Sequence, residues 1–214
     1  MSRYRNALPQ LSGGLFLTDA GLETDLIFNH GIEIREFAAH TLLSDARGRE
    51  VMADYFRSFL SLARDQRTGF ILDSQTWKTH LHWSGDLGEG EEELRAANRE
   101  SIAFIAAFRE EFSANEGPIV LAAIVGPRGD GYHPEVEMPA DESEAYHAQQ
   151  LAWLAETEVD MVSATTFNQA SEAVGFTRAA RAVRLPVVVS FTVETDGALP
   201  TGQPLGEAIE QVDA

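Results

Sequence analysis

The sequence predicts an α/β fold of the (β/α)8 TIM-barrel type, of which about five parallel strands with their helices are present. Short apolar runs recur along the chain, helical segments separate them, and Gly69, Pro118 and Pro186 introduce three of the runs. Each run is apolar without clean alternation, which is typical of strands covered on both faces. The repeated strand-then-helix order favours right-handed βαβ crossovers within one sheet.

Five strands and five helices are predicted in alternating order. The strands are "GGLFLTD" (13–19), "GFILDSQT" (69–76), "PIVLAAIVG" (118–126), "VDMVSATT" (159–166) and "LPVVVSFTVE" (185–194). Helices are predicted over 45–66, 91–112, 141–157 and 169–184, and a last one within 202–214. Helical spacing predicts one core-facing stripe on each of two helices: Val51, Tyr55, Phe59 and Leu62 on the first, and Leu94, Asn98, Ile102, Ile105 and Phe108 on the second.

The five strands occupy the chain to about Glu194, whereas a complete eight-stranded barrel usually needs about 250 residues. We therefore expect a single domain over residues 1–214 that is incomplete at its C-terminus. An open doubly wound sheet, which is complete at five strands, is the alternative. No phosphate-binding loop of the G-x-G-x-x-G or G-x-x-x-x-G-K type follows any strand, and this disfavours the alternative.

Composition excludes several classes of partner. The chain has 34 acidic and 16 basic residues and a net charge of -18, which repels phosphate backbones and anionic membrane surfaces. We expect no nucleic-acid partner and no membrane partner. The apolar stretches are shorter than the roughly 20 residues of a membrane span, and the amino terminus lacks a secretory signal, so a cytoplasmic location is expected. The absence of cysteine excludes disulfides and cysteine metal ligands within these residues.

Ligands bind at the carboxyl ends of the strands in both parallel architectures. Asp19, Gly21 and Glu23 follow the first predicted strand, and an unpaired carboxylate there suits a substrate ammonium group. The structural alternative is that Thr18 or Asp19 caps the following helix. The predicted substrate-binding residues, taken over all the strand ends, are Asp19, Gly21, Glu23, Thr76, Thr165 and Glu194.

Three further groups lie near strand ends. The spacing of His80 and His82 directs two imidazoles toward one point, but no third or fourth metal ligand is evident, so packing roles are favoured and no metal ligand is predicted. Arg128, in the Gly- and Pro-rich loop 126–139, either binds a carboxylate or pairs with Asp130 or Glu135. Asn168 is predicted to be a helix N-cap.

Four segments together resemble the amino-terminal part of the homocysteine S-methyltransferase family: "LTDAGLETDLIFNHGIE", "GPRGDGY", "EAYHAQQLAWLAETEVDMVSATT" and "PVVVSFTVETDGALPTGQPLGEAI". The resemblance runs along nearly the whole chain. It implies a (β/α)8 barrel that transfers a methyl group from a sulfonium or ammonium donor to the thiol of homocysteine or a related small thiol. It also implies a zinc ion, held by one cysteine after the sixth strand and an adjacent pair at the eighth, which keeps the substrate as its nucleophilic thiolate.

The resemblance also assigns roles within this sequence. Asp19 matches the family's acid at the end of the first strand, where it looks like a contact for the substrate ammonium. Ala20 stands where the motif usually has a second glycine, and Thr165 stands where many members carry a substrate-binding glutamate. No residue here replaces the zinc cysteines, so we expect no zinc site and no activity from the chain as given.

Three functional hypotheses follow. The first is a methyltransferase homologue, whose open sheet edges a second copy would cover in a homo-oligomer. The second is a noncatalytic small-molecule binding or assembly protein derived from that enzyme. The third is a metal-dependent hydrolase that uses His80 and His82, for which the sequence offers no additional ligands.

Overall fold

The structure, a computed structural model, describes residues 2–114, 117–132 and 137–214. Its five strands form one sheet in the order β1-β2-β3-β4-β5, and every neighbouring pair is parallel. The strands are β1 (Phe16–Thr18), β2 (Gly69–Asp73), β3 (Ile119–Val125), β4 (Met161–Phe167) and β5 (Val187–Phe191). This sequential order is that of a (β/α)8 barrel and not of a doubly wound sheet, whose strand order reverses. The predicted partial-barrel fold is confirmed.

Seven α-helices are found within the described residues. They are α1 (Leu22–Phe28), α2 (Ala46–Gln66), α3 (Ser84–Leu87), α4 (Glu91–Glu111), α5 (Ala140–Ala155), α6 (Ala170–Ala182) and α7 (Leu205–Asp213). Short 3-10 helices span Pro9–Ser12, Arg35–Phe37, Ala39–Ser44 and Leu81–Trp83. The connections between consecutive strands therefore carry the helices, as the predicted crossovers require.

The two faces of the sheet bury different residues because successive side chains of a strand point to opposite faces. Leu72 of β2 and Leu121 of β3 lie in the main core against the helices. Val120 and Met161 lie in a second cluster on the other face, and the amino-terminal residue Tyr4 packs against it. Burial of both faces explains why β2, β3 and β4 read as continuous apolar runs, whereas β5 alternates between partly buried and exposed residues.

One predicted helical stripe is displaced by a residue. Leu62, which was predicted to face the core, is 49% exposed. The side chains of α2 that are buried are Met52, Tyr55, Phe56, Leu60 and Ala63. Two apolar stripes run side by side on this helix with similar spacing, and periodicity alone does not distinguish them. On α4 all five residues of the predicted stripe are buried, and Phe104 and Ala106 are buried beside them.

Asp160, immediately before β4, joins three parts of the chain at the amino-terminal end of the sheet. One carboxylate oxygen accepts hydrogen bonds from the backbone N–H groups of Arg3 and Tyr4, each at 2.8 Å. The other accepts from Arg109 Nη1 of α4 at 2.9 Å and from the N–H of Leu121 at 3.0 Å. The side chains of Asp160 and Arg109 are 0% and 2% exposed, so this is an ion pair with little access to water.

Gly175 permits the close approach of α5 and α6, and its replacement by alanine tests that contact. An alanine Cβ would lie 2.3 Å from the carbonyl oxygen of Ala140 and 2.6 Å from the N–H nitrogen of Glu144. Backbone atoms yield little, so we expect Gly175→Ala to lower the free energy of unfolding by about 1–3 kcal/mol in urea titration. Gly206→Ala in α7 is the control, since its Cβ meets nothing within 4 Å; equal losses in both variants would contradict the steric explanation.

Candidate functional site

A cavity of about 700 Å³ opens at the carboxyl ends of the strands. Its walls come from the loops after β1, β2 and β3 and from the end of β4. Pockets of roughly 300–1,000 Å³ are typical of small-molecule sites. Both its position and its size therefore make this cavity the candidate ligand site.

The structure brings four of the six predicted site residues to this cavity: Asp19, Gly21, Glu23 and Thr165. Thr76 is fully buried beside it, and its hydroxyl donates to the carbonyl oxygen of Ile124 at 2.7 Å. Glu194 is exposed in a turn, where its carbonyl oxygen accepts from the N–H of Gly197. It lies outside the cavity because β5 ends at Phe191, three residues earlier than predicted. A substrate-binding role for the six residues stays a prediction.

Gly21 sets the geometry of the first loop. Its φ of 64° and ψ of 57° are left-handed, which turns the chain from β1 directly into α1, and no side chain caps that helix. The capping role considered for Thr18 or Asp19 is therefore wrong. Asp19 instead accepts a hydrogen bond from the Tyr55 hydroxyl of α2, and that hydroxyl oxygen accepts from the N–H of Ala20 at 3.1 Å.

The cavity contains carboxylates that are costly to ionise. Burial, with a smaller contribution from the neighbouring charge of Glu23, raises the pKa of Asp19 to about 6 despite the Tyr55 hydrogen bond. Burial also raises the pKa of Glu23. The pKa of Asp73 lies well above its usual range because of burial and the nearby charge of Asp19. A cation placed among these groups would stabilise their ionised forms, so the cavity favours positively charged ligands.

Aromatic rings and one ammonium group complete the walls. Phe37, Trp77, Trp83 and Tyr132 all line the cavity. Lys78 Nζ lies 4.1 Å from the centroid of the Trp83 ring, and it donates a hydrogen bond to the carbonyl oxygen of Glu36 at 2.7 Å. Aromatic faces attract cations, and they do so more strongly where water is excluded.

A β-bulge at the end of β4 positions one of these rings. The pairing with β5 shifts register between Ala164 and Phe167. Within the shift, Thr166 has a φ of 62°, an uncommon conformation for a β-branched residue. Its hydroxyl oxygen accepts a hydrogen bond from Trp77 Nε1 at 3.2 Å. The strained threonine thus fixes the indole of Trp77, and strain of this kind is common at functional sites.

The loop after β3 is anchored to α6 and to the turn before it. Asn168 Nδ2 donates to the carbonyl oxygen of Asp130 at 2.8 Å, so Asn168 is not the predicted N-cap; Gln169 occupies that position. The N–H of Arg128 donates to Glu172 Oε1 at 2.7 Å, and the Arg128 guanidinium pairs with Glu142 at 2.5 Å. Arg128 is thus held in a salt bridge, though with a different acid from those predicted. His133 and Glu135 lie outside the described residues.

Glu172 is expected to hold this loop in place. Its carboxylate is buried and also contacts His147 Nε2 at 3.2 Å. Glu172→Ala leaves the Arg128 N–H without its acceptor, and we expect a loss of about 1–3 kcal/mol in unfolding free energy. Faster hydrogen exchange of the 128–132 amides would accompany it. Glu142→Ala removes only the exposed partner of Arg128 and should cost less than about 1 kcal/mol; equal effects would contradict the anchoring role.

The two histidines of the 80–82 segment have different surroundings. His80 Nε2 contacts the carbonyl oxygen of Tyr146 at 2.8 Å, and Nδ1 accepts from the N–H of His82 at 3.0 Å. The His80 ring stacks on Tyr146 at 3.9 Å, and burial lowers its pKa to about 4. His82 lines the cavity without His80. Across the described ranges, no three His, Asp or Glu side chains are grouped so as to hold a metal ion.

Among the cavity residues that sequence reasoning did not single out are Phe37, Lys78 and Trp83. They belong to long connections between strands and helices, for which no periodic pattern exists. For Lys78 the sequence did contain an indication, because it is the only lysine in the chain.

A parallel sheet in chain order, with a cavity at the carboxyl ends of its strands, places the chain in the class of (β/α)8-type proteins. The sequence matches the Homocysteine S-methyltransferase family over residues 16–214. The chain belongs to this family. None of the curated proteins searched gives a significant match.

Solved structures of the homocysteine methyltransferase MmuM from Escherichia coli share this fold. The metallated form has a TM-score of 0.78 at 21% identity and covers 97% of this chain and 74% of its own. The oxidized form has a TM-score of 0.77 at 21% identity, covering 97% and 72%. The apo form has a TM-score of 0.66 at 22% identity, covering 97% and 70%.

No helix within the described ranges combines the length and the apolar character that a membrane span requires.

Proposed function

We propose that the chain is a methyltransferase homologue whose cavity binds the substrates of methyl transfer from a sulfonium or ammonium donor to the thiol of homocysteine or a related small thiol. The proposal treats residues 1–214 as one cytoplasmic domain. The observation that carries it is the pair of acidic side chains, Asp19 and Asp73, which lie in a cavity with aromatic walls and form no ion pair with any Lys or Arg among the described residues.

Donor binding follows from this chemistry. A sulfonium or quaternary ammonium group carries a positive charge without N–H donors, so it is held by carboxylates at a distance and by the faces of aromatic rings. Trp77 and Trp83 supply such rings, and Thr166 fixes the first of them. A donor and a thiol confined together in this volume gain the proximity that an in-line displacement needs.

The cavity residues do not favour activation of a substrate thiol. An ordinary thiol has a pKa of about 8.5, and nearby negative charges raise it further. Four acidic residues, Asp19, Glu23, Asp73 and Asp130, line the cavity against the single ammonium of Lys78, so the acidic groups outnumber the one group that would favour a thiolate. Substrate capture and thiol activation are therefore separable in this chain.

The zinc that the family resemblance implies does not fit the residues present. The sequence contains no cysteine, and the described side chains offer no group of three His, Asp or Glu that could hold a metal ion. No step is assigned to zinc on this basis. We propose that these 214 residues bind substrates and, alone, do not activate the thiol. The same observation favours the second candidate, a noncatalytic binding protein.

Two measurements on the same preparation separate these functions. Calorimetry is performed with L-homocysteine, with S-methylmethionine as a sulfonium probe and with glycine betaine as an ammonium probe. Methionine formation from each donor is followed by mass spectrometry. We expect binding of homocysteine and of one donor without methionine. Methionine production would establish the methyltransferase and refute the proposed lack of thiol activation, whereas absence of all binding would overturn the proposed function.

A further inference from the structure

Lys78 is distinctive in both sequence and structure. It is the single lysine among 16 basic residues, and the others are arginines. Of all the basic Lys and Arg side chains described, Lys78 alone lines the cavity. An ammonium is a compact point charge with three donors, whereas a guanidinium is a broad planar fork. The basic group of the cavity is thus of a different chemical kind from those elsewhere in the chain.

The Lys78 ammonium has donors to spare. One N–H is used by the carbonyl oxygen of Glu36, which leaves two. Its acidic neighbours Glu36, Asp86 and Asp130 act on it through Coulombic attraction, and none of their carboxylates forms a direct hydrogen bond with it. The Trp83 ring at 4.1 Å supports one side of the group and provides no acceptor oxygen. A ligand oxygen could therefore complete its coordination.

Charge balance indicates which ligand this would be. Without Lys78 the charged residues lining the cavity would be acidic, and any ligand carboxylate would be repelled. Asp73, at the end of β2, shares the cavity with Asp19, and no side-chain donor within the described ranges pairs with it. The cavity consequently presents carboxylates for an ammonium and one ammonium for a carboxylate.

We propose that Lys78 binds the carboxylate of the ligand and that Asp73, beside Asp19, binds its ammonium group, so that the cavity selects zwitterionic amino-acid thiols. This inference rests on the proposed function and adds to it the residues that determine specificity. It assigns to Asp73 a binding role that β4 does not supply, because Thr165 is uncharged.

Three thiols that differ only in charged groups test the assignment: L-homocysteine, 3-aminopropane-1-thiol, which lacks the carboxylate, and 4-sulfanylbutanoate, which lacks the ammonium. We expect Lys78→Met to weaken L-homocysteine binding about 10- to 100-fold, the value of a charge-assisted hydrogen bond. Its affinity for 3-aminopropane-1-thiol should not fall. Asp73→Asn should weaken both amines and not 4-sulfanylbutanoate. Lys78→Arg, which keeps the charge, should retain most of the discrimination.

Arg64→Gln is the matched control, since it removes one positive charge from an exposed pair with Asp65 near the last turn of α2. It should leave all three affinities unchanged. If Lys78→Met weakens L-homocysteine and 3-aminopropane-1-thiol equally, or weakens neither, the carboxylate assignment is wrong and Lys78 only supports the turn at Glu36. If no thiol binds the unmodified protein, the proposed function fails first, and this outcome is distinct from a failure of selectivity.

The single lysine provides a second readout that does not depend on affinity differences. Biosynthetic incorporation of ¹³C-lysine labels Lys78 alone and leaves its three N–H donors in place, and the Lys78→Met variant, which contains no lysine, confirms the NMR assignment. The Lys78 signal should shift on addition of L-homocysteine and stay in place with 3-aminopropane-1-thiol. A shift of equal size with both ligands would contradict direct contact with the carboxylate.

Discussion

Asp160→Asn is expected to lower the free energy of unfolding by about 3–5 kcal/mol, because it leaves the buried Arg109 without its fully buried partner. The carboxylate now accepts hydrogen bonds from four N–H groups, two at each oxygen. In the asparagine variant an NH₂ group replaces one of these oxygens and faces two N–H donors. Arg109 keeps a second acid, Glu158 at 2.6 Å, so the lower part of this range is the more realistic expectation. Urea denaturation followed by circular dichroism measures the change.

A matched variant distinguishes burial from the loss of charge. Asp141→Asn makes the same chemical change in an exposed pair with Arg178. Exposed pairs contribute little, and we expect less than about 1 kcal/mol. Similar losses in the two variants would show that the network at the amino-terminal end of the sheet does not have the stabilising role assigned to it.

Asp19→Asn is expected to weaken ligand binding and stabilise the protein at the same time. Loss of the carboxylate should lower the affinity for 3-aminopropane-1-thiol by about tenfold or more. The variant should gain about 1–3 kcal/mol of stability at pH 7, because the wild-type carboxylate is ionised there at a cost that its raised pKa of about 6 records. An asparagine oxygen can still accept the hydrogen bond from Tyr55.

The stability gained by Asp19→Asn should depend on pH. Between pH 3.8 and about 6, Asp19 is ionised in the unfolded chain and protonated in the folded one. The folded state binds more protons in this window, so the Asp19 contribution to stability falls as the pH rises through it and is constant above it. The stability gain of Asp19→Asn should therefore be near zero at about pH 4 and grow to a plateau above pH 6, while wild-type affinity for amines rises over the same window.

Asp25→Asn, in the helix α1 that follows Asp19, is the control, since Asp25 bonds to Asn29 and His30 and does not line the cavity. It should change neither affinity nor its pH dependence. A stability difference between Asp19→Asn and wild type that does not vary with pH would refute the assigned cause.

The strands β2, β3 and β4 were predictable because each is largely buried on two faces, and this leaves an apolar run in the sequence, whereas β5 has one exposed face on which Val188 is 44% exposed. The residues at which the strands end were less predictable from the sequence. Pairing ends β5 at Phe191, and Val193 and Glu194, which continue the run in sequence, are exposed. On α2, Leu62 and Leu60 are both apolar, and tertiary packing alone decides that Leu60 is buried. Local capping rules failed at Asn168 because its amide bonds to a distant loop.

Some residues of the candidate site were likewise predictable from the sequence, and others were not. Ligands bind at the carboxyl ends of parallel strands, and from this rule we predicted Asp19, Glu23 and Thr165, which line one cavity. It failed for Thr76, which turns its hydroxyl into the sheet. Lys78 and Trp83 come from the connection between β2 and α4, whose path depends on contacts with distant residues such as Glu36 and Tyr146. No sequence periodicity records contacts of this kind.

The end strands β1 and β5 each pair with a single neighbour in the described part of the chain. The cavity lies at the rim of this open sheet, so a polypeptide that fills the gap between the two strands would supply part of its enclosure. Ligand occupancy and association would then be linked by mass action. Affinity measured at rising protein concentration would increase if such association occurs, and titrations at a single concentration would miss it.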